Sequence, residues 1–211
     1  GAYGQWGRNW RAEEGRHSIV IRDYLTVTRA IDPVALERAR MQQVRGGQVP
    51  TPLDLYEALA YLSMQELATR IAHRNTGKLI ADEVGQAIMS RVGIDENLHY
   101  LFYRDLATAL LGFDPSNMVI GIERAVRTFA MPGTGIPDFD RLAREIARAG
   151  IYYLAIHHDK ILQPVVMRHW KIAELTGLSA EAEQARESII KRIERTAKVA
   201  KRLAAPEQAP A

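Results

Sequence analysis

The stretch WRAEEGRHSIVIRDY, residues 10–24, sets Glu14 and His17 three residues apart in a helical pattern, with Glu13 alongside. Residues at i and i+3 share one helix face. A carboxylate and an imidazole on the core side of a helix are costly unless something there holds them. A second segment, GIDENLHYLFYRDL (93–106), repeats the spacing with Glu96 and His99. An acid precedes each motif (Glu13, Asp95), and an apolar run follows each one, SIVI after the first and YLFY within the second.

Around these motifs lies a chain of 211 residues, 47% hydrophobic and 25% charged, with a formal net charge of +3. That is enough apolar material for one sizeable core, so a single domain over 1–204 is expected, with 205–211 (APEQAPA) as a frayed tail. Cysteine is absent, which excludes disulfides and thiolate metal sites and leans toward a reducing, intracellular setting. No run of about 18 apolar residues could span a bilayer. The tract KRIERTAKVAKR (191–202) is rich in Lys and Arg against one Glu. It reads as the solvated face of a terminal helix, with an acidic protein partner open to it. Nucleic acid is disfavoured because no aromatic residues interleave with the charges.

Helical periodicity dominates the chain. Helices are expected over about 5–30, 34–44, 53–76 (stopped by NTG), 82–111 (stopped by Gly112) and 115–130. Others follow over about 138–149, 151–170 and 179–203. Strand signals are sparse, so the fold class is all-α.

Glu66 lies in YLSMQELATRIAHRN (61–75), a helical segment that carries Thr69 where a third Glu-x-x-His would have its histidine. Two Glu-x-x-His motifs on separate helices, with single Glu residues from two others, form the ligand set of ferritin-like di-iron bundles. Carboxylates and imidazoles together suit iron. One such motif alone also occurs as a surface pair, and His73 reads as a core histidine. The Thr69 hydroxyl would either face the cluster or bond back to its own helix. A metal-bound histidine commonly donates its other N–H to a carboxylate. The placement of the two flanking acids therefore predicts a crossed arrangement, Asp95 to His17 and Glu13 to His99.

The chain resembles the soluble acyl-[acyl-carrier-protein] desaturases, the plant stearoyl enzyme and its actinobacterial relatives. The resemblance rests on WRAEEGRH (10–17), SMQELATRIAHRNTGK (63–78), DENLHYLFYRDL (95–106) with the following DPS, and RHWKIAELTGLSAEAE (168–183). It covers nearly the whole chain and is closer to the bacterial members in LATRIAHRNTGK. It implies a ferritin-like helical bundle with additional C-terminal helices, a homodimer, and two iron ions. It further implies O2 chemistry on an acyl chain delivered by acyl carrier protein, electrons from a ferredoxin-type donor, and a bacterial cytoplasmic setting.

The same resemblance implies that Glu14, His17, Glu66, Glu96 and His99 are iron ligands and that Thr69 is the active-site threonine. Trp10 and Asp95 match residues on the electron route, and Ala58 and Leu59 stand where the acyl channel is lined. The family takes one more ligand, a Glu, from a helix upstream of the first motif, and only 13 residues precede Glu14. The resemblance thus implies an N-terminally truncated chain. A polypeptide truly starting at Gly1 is expected to fold poorly and lack desaturase activity, since buried apolar area is worth about 25 cal/mol per Å². A hydroxylase or N-oxygenase on the same scaffold is the alternative among enzymes. A helical protein that binds iron or the carrier protein without turnover is the alternative outside them.

Overall fold

The computed structural model describes residues 1–46 and 51–204. The expected tail at 205–211 and part of the loop after the second helix lie outside them. Among the described residues there are eight α-helices and no strand. They sort into two compact units.

The first unit comprises the described part of Gly1–Pro50, with Thr69–His99 and Met131–Ile151. Helix α1 (Ala2–Val27) buries a single side chain, His17. Asp32 opens α2 (Pro33–Gly46), its Oδ1 accepting the Val34 amide at 2.9 Å, and Pro33 sits in the first turn, where a missing N–H costs nothing. The C-terminal part of α3 (Leu55–Leu79) runs close to the N-terminal part of α4 (Glu83–Phe113). A Cβ on Gly77 would stand 3.0 Å from that of Met89, and one on Gly93 3.0 Å from Arg74 Cγ. Gly77 is thus a contact residue inside α3 rather than the stop that NTG suggests. Asn75 meanwhile donates from Nδ2 to the Ile151 carbonyl at 3.0 Å. Gly112 likewise lies within α4, which ends one residue later at Phe113.

The start of α4 is fastened to α1. Asp82 Oδ2 accepts the Gly85 amide at 2.8 Å, as an N-terminal capping side chain does, and the Tyr24 hydroxyl at 3.1 Å. A Cβ on Gly85 would collide with the end of the Tyr24 side chain and with Ile80, which would have to shift to admit it. Helix α6 (Phe139–Arg148) completes this unit and buries no side chain.

The second unit comprises Thr51–Ala68, Tyr100–Ala130 and the described part of Tyr152–Ala211. Asp114 caps α5 (Pro115–Thr128), accepting from the Asn117 amide, and the Tyr56 hydroxyl donates to its Oδ2 at 2.7 Å. Met118, Val119, Ile122 and Ala125 of α5 are buried, as are Ala182, Ile189 and Ile193 of α8 (Ala180–Ala204), and the two helices pack together. Gly121 lets α5 lie on the first turn of α3, because a Cβ there would strike the backbone of Tyr56 and Glu57.

The single helix expected over 151–170 is not one helix. A four-residue α7 (Leu154–His157) passes into a π-helical stretch, His158–His169, with Pro164 inside it. Proline has no N–H to give a standard ladder. The wider turn persists to the end, where the Trp170 amide reaches back five residues to the Val165 carbonyl at 2.9 Å. Ile161, Leu162, Val165 and Val166 are buried along it.

Candidate metal centre

Both Glu-x-x-His motifs lie mid-helix, on α1 and α4, and their histidines are held in the crossed manner the sequence predicts. His17 Nε2 lies 3.1 Å from Asp95 Oδ2, and His99 Nε2 lies 2.8 Å from Glu13 Oε2. A carboxylate can only accept, so each Nε2 donates, and each Nδ1 is the ring nitrogen left to face other groups. Those Nδ1 atoms face two further carboxylates. His17 Nδ1 is 3.4 Å from Glu96 Oε1 and 3.8 Å from Glu14 Oε1. His99 Nδ1 is 3.3 Å from Glu14 Oε1 and 4.0 Å from Glu96 Oε2. Glu14 and Glu96 each stand between two imidazoles whose centroids are 6.1 Å apart.

The donor set fits a metal. Ligand atoms of Glu14, Glu96 and His99 lie within 4.8 Å of one another. Glu14 Oε1 and His17 Nδ1 are buried and make no hydrogen bond. Buried polar atoms are normally satisfied, and an imidazole nitrogen set among carboxylates is an arrangement that a cation completes. Oxygen and imidazole donors without thiolate suit divalent first-row ions. Glu66 is 1% exposed on α3, one turn before Thr69. The Thr69 hydroxyl donates to Glu96 Oε2 at 2.7 Å.

The electrostatics follow from this geometry. Burial opposes protonation of His17, but the carboxylates of Glu96 and Asp95 outweigh it and raise its pKa. Burial likewise pushes the Asp95 pKa up, and Arg16, His17 and Arg91 overcome it, holding the carboxyl below its ordinary range. His73 is half-buried with Nε2 3.7 Å from Glu96 Oε1, and burial lowers its pKa. It sits nearer the cluster than its reading as a core histidine suggests.

Sequence reasoning passed over the arginines around Asp95. Arg16 Nη2 reaches Asp95 Oδ2 at 2.8 Å, and Arg91 Nη2 reaches Oδ1 at 3.2 Å. Arg91 precedes Asp95 by four residues, a spacing at which helical ion pairs form, so half of this arrangement was available. Trp6 and His99 meet as a T-shaped ring pair, centroids 6.0 Å apart. Trp10 is half-buried one turn before Glu14. Ala58 is half-buried and Leu59 buried on the second unit's part of α3.

A family model described as fatty acid desaturase matches residues 1–211. DesA1 of Mycobacterium tuberculosis, which bears the name of an acyl-[acyl-carrier-protein] desaturase, is 41% identical over 197 residues, covering 90% of this chain and 58% of the relative. A chloroplastic stearoyl-[acyl-carrier-protein] 9-desaturase of Gossypium hirsutum is 34% identical over 194 residues, covering 86% and 48%. The chain therefore spans between about half and three-fifths of the length of these relatives. The X-ray structure of DesA2 from Mycobacterium tuberculosis aligns with a TM-score of 0.70 at 26% identity, covering 87% of this chain and 69% of that one. The all-α, ferritin-like class read from the sequence is the class of that neighbour. No described helix is long and apolar enough to cross a membrane.

Proposed function

The chain belongs to the fatty acid desaturase family, and from that premise we propose that it carries the metal centre of an acyl-[acyl-carrier-protein] desaturase. The observation that carries this reading is the crossed pairing of His17 with Asp95 and His99 with Glu13 around Glu14 and Glu96. Glu14, His17, Glu66, Glu96 and His99 would hold two iron ions, which supply the O2 chemistry that removes two hydrogens from an unactivated acyl chain. Two further electrons from a ferredoxin-type donor and two protons complete the reduction of O2 to two waters.

The protein's own residues have separate tasks. Asp95 and Glu13 fix the tautomer and aim of the imidazoles. Thr69 keeps a proton on its hydroxyl against Glu96 Oε2, next to the donor atoms. Leu59 and Ala58 would line the acyl channel, and Trp10 with Asp95 would lie on the path of incoming electrons. On α8, Lys191, Arg192 and Arg195 line an open cavity of about 610 Å³ with Glu187 and Ser188. Such a basic surface favours the approach of an acidic carrier protein. The working assembly is a homodimer in a bacterial cytoplasm.

The test is mass analysis of acyl carrier substrates incubated with protein from the native gene, ferrous iron, ferredoxin, its reductase and O2. Loss of two mass units is expected. A gain of sixteen would instead mean oxygen insertion, and iron uptake with no O2-dependent change would mean binding without turnover. Neutralising Lys191, Arg192, Lys198 and Lys201 should raise KM for the carrier substrate and flatten its salt dependence. An unchanged KM would remove α8 from the carrier site.

A further inference from the structure

One guanidinium touches both of the carboxylates that hold the two histidines. Arg16 Nη2 lies 2.8 Å from Asp95 Oδ2 and 3.8 Å from Glu13 Oε1. Asp95 Oδ2 is the oxygen that meets His17 Nε2, and Glu13 meets His99 through its other oxygen, Oε2. Hydrogen bonds therefore run from His17 through Asp95 to Arg16 and from Glu13 to His99, and a 3.8 Å ion pair between Arg16 and Glu13 joins the two. Arg91 is different, because its Nη2 reaches only the Oδ1 side of Asp95.

We infer that Arg16 is a positioning residue shared by both halves of the metal centre, a strap that orients His17 and His99 together. The chemistry of the parts supports this. Asp95 is almost wholly buried, hydrogen-bonded to Arg16 and His17 and ion-paired with Arg91. A carboxylate in that situation needs compensating charge to stay ionised and to keep accepting from an imidazole. The permanently charged guanidinium faces both carboxylates through one nitrogen, Nη2, at the end of a long side chain, a reach that the shorter lysine ammonium does not match. Arg16 is also half-exposed, its side chain at 51%. Its place between Glu14 and His17 in sequence is therefore not explained by packing. The inference rests on the metal-centre reading for its purpose, but the ring orientation it describes exists without metal.

The experiment separates the two. In metal-free protein labelled with ¹⁵N at histidine, the ring nitrogen shifts of His17 and His99 report tautomer and hydrogen bonding. Arg16→Gln is expected to move both rings, His17 more than His99, whereas Arg91→Gln moves His17 alone. Arg16→Lys, which keeps the charge on a shorter side chain, should return His17 toward its original position and leave His99 displaced. In a cobalt(II) titration, Arg16→Gln should weaken both bound equivalents, by about 10-fold for the tighter-coupled one, the scale on which outer partners of ligands act. Arg91→Gln should weaken one. If Arg16→Gln moves only His17, or neither ring, the shared strap is overturned. Wild-type protein that takes up no cobalt overturns the metal-centre reading, and the nitrogen shifts still decide the strap.

Discussion

The two Glu-x-x-His motifs have the same spacing and opposite surroundings. On α4, the side chains of Glu96 and His99 are 4% and 0% exposed; on α1, His17 is 7% exposed but Glu14 is 42%. Their outer partners are reversed with respect to this. The more exposed motif has its histidine held by Asp95, at 2% exposure and flanked by two arginines, while the buried motif has its histidine held by Glu13, at 28%. Each helix lends its acid to the other helix's imidazole. A motif's spacing thus sets which groups converge, and its burial sets how strongly each is held.

The largest effect expected from breaking this comparison comes from the ligands themselves. Glu96→Ala should lower metal affinity by more than about 100-fold, above the range of outer-partner changes, and Glu14→Ala by less, since water can reach that side. Equal losses in a metal-competition titration would mean that burial does not distinguish the halves. Next come the outer acids. Asp95→Asn should cost close to 100-fold in affinity and Glu13→Gln nearer 10-fold, within the span known for such partners. Iron content unchanged in both would remove their tuning role.

Thr69→Val deletes a hydroxyl that donates to a carboxylate, a bond worth about 1.5–3 kcal/mol. A loss at the low end of that span is expected in chemical denaturation, because the hydroxyl is only part-buried.

The smallest effect sets the metal-side histidines against His157 in the other unit. His157 stacks on Phe129 at 4.5 Å, and its Nδ1 shares a hydrogen bond with the Tyr152 hydroxyl at 2.8 Å. Burial, with a minor contribution from His158, lowers its pKa from 6.5 to about 4. Its folded pKa lies below its unfolded one, so the stability of the neutral ring is complete above 6.5 and is lost as pH falls toward 4. Of order 1 kcal/mol should disappear between about pH 6.5 and pH 5 after allowing for partial exposure of the ring. His157→Phe should flatten that part of the profile. His17, whose pKa is raised by carboxylates, has the opposite sign and stabilises more at low pH.

Much of this was legible in the sequence because helices announce themselves by period and caps. Asp32-Pro33 and Asp114-Pro115 open helices as read, and the crossed acids follow from placing two like motifs face to face. What escaped has physical causes. Gly77 looks like a helix stop until Met89 is found against it. Pro164 does not break its helix, because a π-turn accommodates it. Arg16 could not be read as a bridge from sequence, since its two partners come from different helices and only one of them is local.

Helix α1 buries one side chain in 26 residues, and that side chain is an imidazole. Most of its named ties to α4 are ionic or hydrogen-bonded: Asp95, Glu96 and His99 in the middle, Asp82 at the far end. Local opening is easiest where apolar burial is least. Amide exchange should therefore be fastest in α1 among the long helices of its unit. It should slow when a cation occupies the Glu14–His17 side and quicken on chelation or in high salt. The same few contacts that would hold a metal would then also set the order in which this part of the chain comes apart.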